Sequence, residues 1–171
     1  MKGRKYNMVK NETIERKKFK SDDEIEVANY TTGRCIYINP HTYAEWNWNG
    51  FGDSQPIPFG ELVVMKANFP KFLTDPVLVI LNEDVVKHFG LVENYKKIII
   101  PSDLKKFYEM EDEKIVEFLK TATTQTKRLI ITLTRQKIEK RELESLFKIK
   151  LIEETLNADK TLGIEVDFFD V

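Results

Sequence analysis

The chain has 171 residues, 42% hydrophobic and 32% charged, which suits one ordinary domain and excludes both a wholly disordered chain and two large domains. Its longest clean apolar run, residues 77–81, is far short of the ~20 residues of a membrane span, and the charged start Met1-Lys2-Gly3-Arg4-Lys5 is not followed by a secretory h-region. With Cys35 alone and only His41 and His88 beside it, neither an intramolecular disulfide nor a Cys/His zinc site is expected.

The net charge of −1 hides a polarised chain. Residues 1–22 carry Lys2, Arg4, Lys5, Lys10, Arg16, Lys17, Lys18 and Lys20 against Glu12, Glu15 and Asp22, a net +5 that leaves −6 on the rest. Tyr6, Met8, Val9 and Ile14 are too few and too irregular to offset an ordering cost of ~1–2 kcal/mol per residue. Residues 1–22 therefore read as a basic interaction arm that orders on a negatively charged surface, either an acidic protein or packaged nucleic acid.

Residues 24–48 then show period two: Ile25 and Val27, Ile36 and Ile38 alternating with Cys35 and Tyr37, and Ala44, Trp46 and Trp48. Thr31-Thr32-Gly33, Asn39-Pro40-His41 and 49–53 carry turn chemistry, so short links between three strands predict antiparallel neighbours. Pro58 opens a helix with Phe59, Leu62, Met65 and Phe69 on one face, ended by Pro70. Residues 77–81 read as a buried extended segment. Asn82 as N-cap, Glu83 and Asp84 in the first turn and Gly90 as the stop predict a short helix.

Beyond Pro101, Ser102 and Asp103 cap a helix with Leu104, Phe107 and Tyr108, and Asp112 begins another with Ile115, Phe118 and Leu119. Residues 121–126 read as a break. Residues 128–134 carry strand and helix signals together, and helix is the reading taken. A final helix is expected over 141–157, its apolar positions being Leu143, Leu146, Phe147, Ile149, Ile152 and Leu156. The tail from Leu162 returns to alternation, which suits a strand added to this sheet or to a neighbour's. The expected class is α+β: an N-terminal antiparallel β unit, a meander or SH3-like barrel, over 23–69 with its closing helix, then a mainly helical part over 70–171 with an extended tail.

Chemistry-bearing motifs are sparse. Cys35 and His41 would have to converge across a hairpin to act as nucleophile and base, and the simpler reading is a buried Cys and a turn His. Asp22-Asp23-Glu24 and Glu111-Asp112-Glu113 lack calcium-loop spacing and suit helix entries. Gly50-Phe51-Gly52 lacks the rest of a phosphate loop. No catalytic residue, metal ligand or cofactor is expected. Lys127, Arg128, Arg135, Lys137, Lys140 and Arg141 make a basic run, but acids interleave with it, as on a solvated helix pair. Trp46 and Trp48, two apart, share one sheet face, either as core or as an aromatic contact surface.

Residues 33–91 carry Tyr37, Pro40, the Trp46/Trp48 strand, Phe51-Gly52-Asp53, Ile57-Pro58-Phe59-Gly60-Glu61-Leu62, Pro70-Lys71-Phe72-Leu73-Thr74-Asp75-Pro76, Val85-Val86 and Gly90-Leu91. This pattern resembles small, mostly uncharacterised virion structural proteins of tailed bacteriophages that infect Gram-positive bacteria. The resemblance implies a non-enzymatic subunit of a phage head, neck or tail. Its expected partners are other virion subunits in an oligomer, with packaged DNA as a second candidate for the arm and no membrane. The expected location is the virion, and host cytoplasm during assembly. The residues expected to make contacts are Arg4, Lys5, Arg16, Lys17, Lys18, Lys20, Trp46, Trp48, Phe51, Phe168 and Phe169. The competing reading is a cytoplasmic nucleic-acid-binding or regulatory adaptor that uses the arm and the basic run at 127–141.

Overall fold

The computed structural model describes residues 18–169. In chain order these hold β1 (Glu24–Asn29), β2 (Cys35–Ile38), β3 (Glu45–Trp48), β4 (Ser54–Pro58), α1 (Phe59–Asn68), α2 (Lys71–Thr74) and β5 (Leu78–Ile80). Helices α3 (Glu83–His88), α4 (Val92–Tyr95), α5 (Leu104–Glu109), α6 (Asp112–Thr121), α7 (Thr124–Glu139) and α8 (Leu146–Asn157) complete the chain. The class is α+β, antiparallel strands first and helices after.

The strand pairing departs from a meander. β1 is the centre of a three-stranded antiparallel sheet ordered β4-β1-β5, while β2 and β3 pair with each other as a separate hairpin. Both sides of β1 are taken, and at Tyr30 the chain turns inward. The Asn29 side chain holds the turn that follows, accepting from the Thr31 amide at 2.8 Å and donating to the Gly33 carbonyl at 2.7 Å. The hairpin is therefore laid over the sheet rather than added to it. Cys35, Tyr37 and Trp48 point inward, and the Trp48 indole N–H donates to the Val27 carbonyl at 3.0 Å.

Strand β4 has no counterpart in the sequence reading, because Pro56 and Pro58 argue against a strand. Its ladder explains how they fit. The Asn29 amide bonds to the Asp53 carbonyl and the Phe59 amide to the Asp23 carbonyl, so alternate residues 53, 55, 57 and 59 face β1. The two prolines fall on the opposite side, where a missing N–H breaks no ladder bond.

Several helix ends follow the expected chemistry. Asn82 caps α3 through bonds from the Asp84 and Val85 amides, and Gly90, at φ +70°, follows it. Thr123 caps α7, whose β-branched run is buried on several sides, with Leu129, Ile130, Ile131 and Leu133 all inside. The last helix is shorter than expected. Arg141 sits at φ +56° after α7 and breaks the register, so α8 starts only at Leu146 behind its Ser145 cap. The tail forms no strand among the described residues: after a short turn at Lys160–Leu162, Val166 and Phe168 are buried against the helices.

Packing divides later than residue 69. One core cluster runs from Ile25 to Leu91, so α2, β5 and α3 pack with the β unit, a second spans Ile99 to Phe168, and a third joins Ala28, Tyr30 and Val79 to Ile98, Leu129 and Leu133. Tyr30 links them. Its buried hydroxyl accepts from the Ile99 amide at 2.9 Å and pairs with Thr126 Oγ1 at 3.2 Å, and burial raises its pKa.

Candidate interaction surfaces

The expected contact residues scatter. Arg4, Lys5, Arg16 and Lys17 lie outside the described residues. Lys18 and Lys20 are exposed, yet the end of the expected arm belongs to the domain. The Phe19 ring stacks on Phe59 at 5.0 Å and meets His88 edge-on at 5.6 Å. The Gly60 amide donates to the Ser21 carbonyl at 2.9 Å, and a Cβ at Gly60 would stand 3.2 Å from that oxygen.

Trp48 is 0% exposed and is core, not contact surface; it is buried because it plugs the seam between hairpin and sheet. Trp46 is half-buried, stacked on Tyr37 at 5.7 Å. Phe51 is half-buried edge-on to Tyr30 at 5.9 Å. Phe168 is buried in the helical core, where the Glu153 carboxylate accepts from its amide at 2.8 Å, and only Phe169 of that pair is exposed. Periodicity alone could not separate these cases, since an alternating tail can cover a helix face as readily as it can extend a sheet.

Two surfaces stand out instead. The first is the outer side of the hairpin. The Asn39 amide bonds to the Ala44 carbonyl at 2.9 Å, which by alternation turns residues 35 and 37 toward β3 and leaves the backbone groups of Ile36 and Ile38 facing the open side. Their side chains are 42% and 49% exposed. At the hairpin tip Tyr43, exposed, holds φ +60°, a costly backbone state for a bulky residue. Asn39 fixes that tip by accepting from the His41 and Thr42 amides, while its Nδ2 donates to the Glu61 carboxylate.

The two edges of the central sheet are closed. Bonds from the Tyr30 amide to the Val77 carbonyl and from the Leu81 amide to the Glu26 carbonyl turn Leu78 and Ile80 outward on β5, where the Ile80 amide donates to the Tyr95 hydroxyl at 2.6 Å. Burial drives the Tyr95 pKa far above the ordinary tyrosine range. Prolines do the equivalent on β4.

The second surface is a groove of about 450 Å³ between α6 and α8. Asp112, Glu113, Val116, Glu117 and Lys120 line it from α6, Phe147 and Leu151 from α8. It continues past Leu119 to Glu154 and Ala158, so the two helices run in the same direction, start beside start. Leu146 and Phe147, expected on the buried stripe, are 63% and 69% exposed, because the delayed start of α8 places them at its first turn beyond the core. The sequence signal was their apolar character; what it lacked was the break at Arg141.

The basic run does not present one face. Lys127 is buried and paired with Asp159, whose carboxyl is held down at about 2 chiefly by that bond, aided by Thr161. Lys137 pairs with Glu142 at 3.1 Å and lies over the Tyr108 ring. Cys35 is buried with its thiol pKa raised, opposite to what a nucleophile needs. Among the described residues no group of three or more His, Cys, Asp or Glu side chains is placed to hold a metal ion. No helix among them is long and apolar enough to cross a membrane. No family model, curated protein or solved structure matches the chain.

Proposed function

We propose that this chain is a non-enzymatic structural subunit of a bacteriophage virion, in the head, neck or tail, that works through protein–protein interfaces. The observation that carries the reading is the treatment of strand edges. Proline and a tyrosine hydroxyl block both outer strands of the central sheet, whereas β2 offers backbone groups unpaired among the described residues beside two exposed isoleucines. An open apolar edge invites aggregation unless a partner occupies it, which suits a chain that spends its life in an assembly. The virion is the setting implied by the sequence pattern over residues 33–91.

Mass spectrometry of purified virions tests this. A fixed stoichiometric amount of the chain in particles is the expected result. Abundance in infected cells with absence from particles would overturn it and favour the regulatory adaptor.

A further inference from the structure

The α6–α8 groove is an apolar floor with an acidic rim. Val116, Leu151 and the exposed ring of Phe147 form the floor, and Asp112, Glu113, Glu117 and Glu154 stand along it against the single cation Lys120 once the Lys127–Asp159 pair is set aside. Among the described residues none of those four carboxylates has a hydrogen-bond or salt-bridge partner on its side chain, although lysines elsewhere on α5 and α6 are paired with Glu109 and Glu111. The groove is thus net −3 and unoccupied by the chain's own described side chains.

One stretch of this sequence has the matching chemistry. Residues 1–17 hold six cations and two acids, net +4, with Tyr6, Met8, Val9 and Ile14 interspersed. That stretch joins the domain at Phe19, pinned between Phe59 and His88 in the first core, whereas the groove belongs to the second core, with which the first shares no residue. We propose that residues 1–17 of one copy dock in the α6–α8 groove of a second copy, cations to the carboxylate rim and apolar side chains to the Phe147 floor. The link is heterologous, one end of a copy to the far part of the next, and so propagates rather than ending at a pair unless it closes a ring. The inference rests on the reading of the chain as an assembly subunit and names its partner as the chain itself.

Charge exchange between full-length chains tests it by sedimentation velocity. Wild type should associate with rising concentration, and association should weaken about tenfold or more between about 50 and about 300 mM salt as the rim is screened. A groove variant, Glu113→Lys with Glu117→Lys, and a segment variant, Lys2→Glu, Arg4→Glu, Lys5→Glu and Lys10→Glu, should each be monomeric. Mixed in equal amounts they should associate again, since opposite charges now meet only between unlike chains. Phe147→Ser, which leaves every charge in place, should weaken wild-type association as well. Unchanged circular dichroism shows that the variants fold. A wild type that stays monomeric at all concentrations overturns the proposal. So does a mixture that stays monomeric, which would mean that the segment pairs within its own chain or elsewhere. These measurements need no virion, so their failure leaves the virion reading to be judged separately by particle composition.

Discussion

The central sheet and the hairpin laid on it handle the same problem in opposite ways. β4 and β5 flank β1 and close themselves, the first with residues that have no N–H to offer, the second with a tyrosine hydroxyl that consumes the Ile80 amide. β2 does neither, and places two β-branched side chains beside a backbone edge that no described residue pairs. Edge protection in this chain is therefore selective. A fold that blunts both edges of its central sheet with such economical devices leaves the β2 edge of its hairpin open among the described residues.

The contrast can be broken hardest at the seam. Trp48→Ala removes a fully buried ring and its bond to the Val27 carbonyl, so unfolding free energy from urea titration should fall by about 3–5 kcal/mol and loosen the hairpin from the sheet. Tyr95→Phe should convert the closed β5 edge into an open one at a cost of about 1–3 kcal/mol, the penalty for stranding an amide, with faster hydrogen exchange at Ile80.

The same hydroxyl can be unfastened by pH. The tyrosine pKa is raised in the fold, so its contribution is fully present below the unfolded value of 10.0 and is lost as pH rises beyond it, when the unfolded chain ionises and the buried phenol does not. Stability should decline above about pH 10, and Tyr95→Phe should decline less steeply, although Tyr30 and Tyr108, the latter pushed up to about 12, add to the same slope.

On the open side the stability effects should be small. Ile38→Lys, at a half-exposed position, should change stability by less than about 0.5 kcal/mol and, on the proposed virion role, reduce incorporation into particles, because a charge now guards the edge. Tyr37→Phe is a smaller change still. The Tyr37 hydroxyl is buried with no partner among the described residues, so its loss should leave the unfolding free energy unchanged or raise it by about 1 kcal/mol, the low end of what an unsatisfied group costs.

Much of the fold was legible where local chemistry decided it. The Asn82 cap, the Gly90 stop, the helix after Pro58 and the change of apolar period there all appear as expected. Pairing was not, because β1 has only two sides and nothing local says that β4 and β5 rather than β2 will fill them. Strand β4 was hidden by prolines that are harmless only on an outer side. The short helices α2 and α4, of four residues each, carry no resolvable period. As for the surfaces, aromatic character singled out Trp48 and Phe168, which the core had taken, and passed over Ile36, Ile38 and Phe147, whose exposure depends on pairing and on where α8 begins.

Tyr30 also bears on the order in which the chain assembles. Its hydroxyl meets partners 69 and 96 residues downstream, so the first bond waits for the segment at Ile99 and the second for α7 to be in place beside a formed β1. Closing loops of that length is slow relative to turning a helix or a hairpin, and contacts so distant in sequence tend to be sealed last. Tyr30 then acts as a latch on a nearly finished structure. Its loss should leave the refolding rate almost untouched and show up as faster unfolding, the signature of an interaction absent from the transition state.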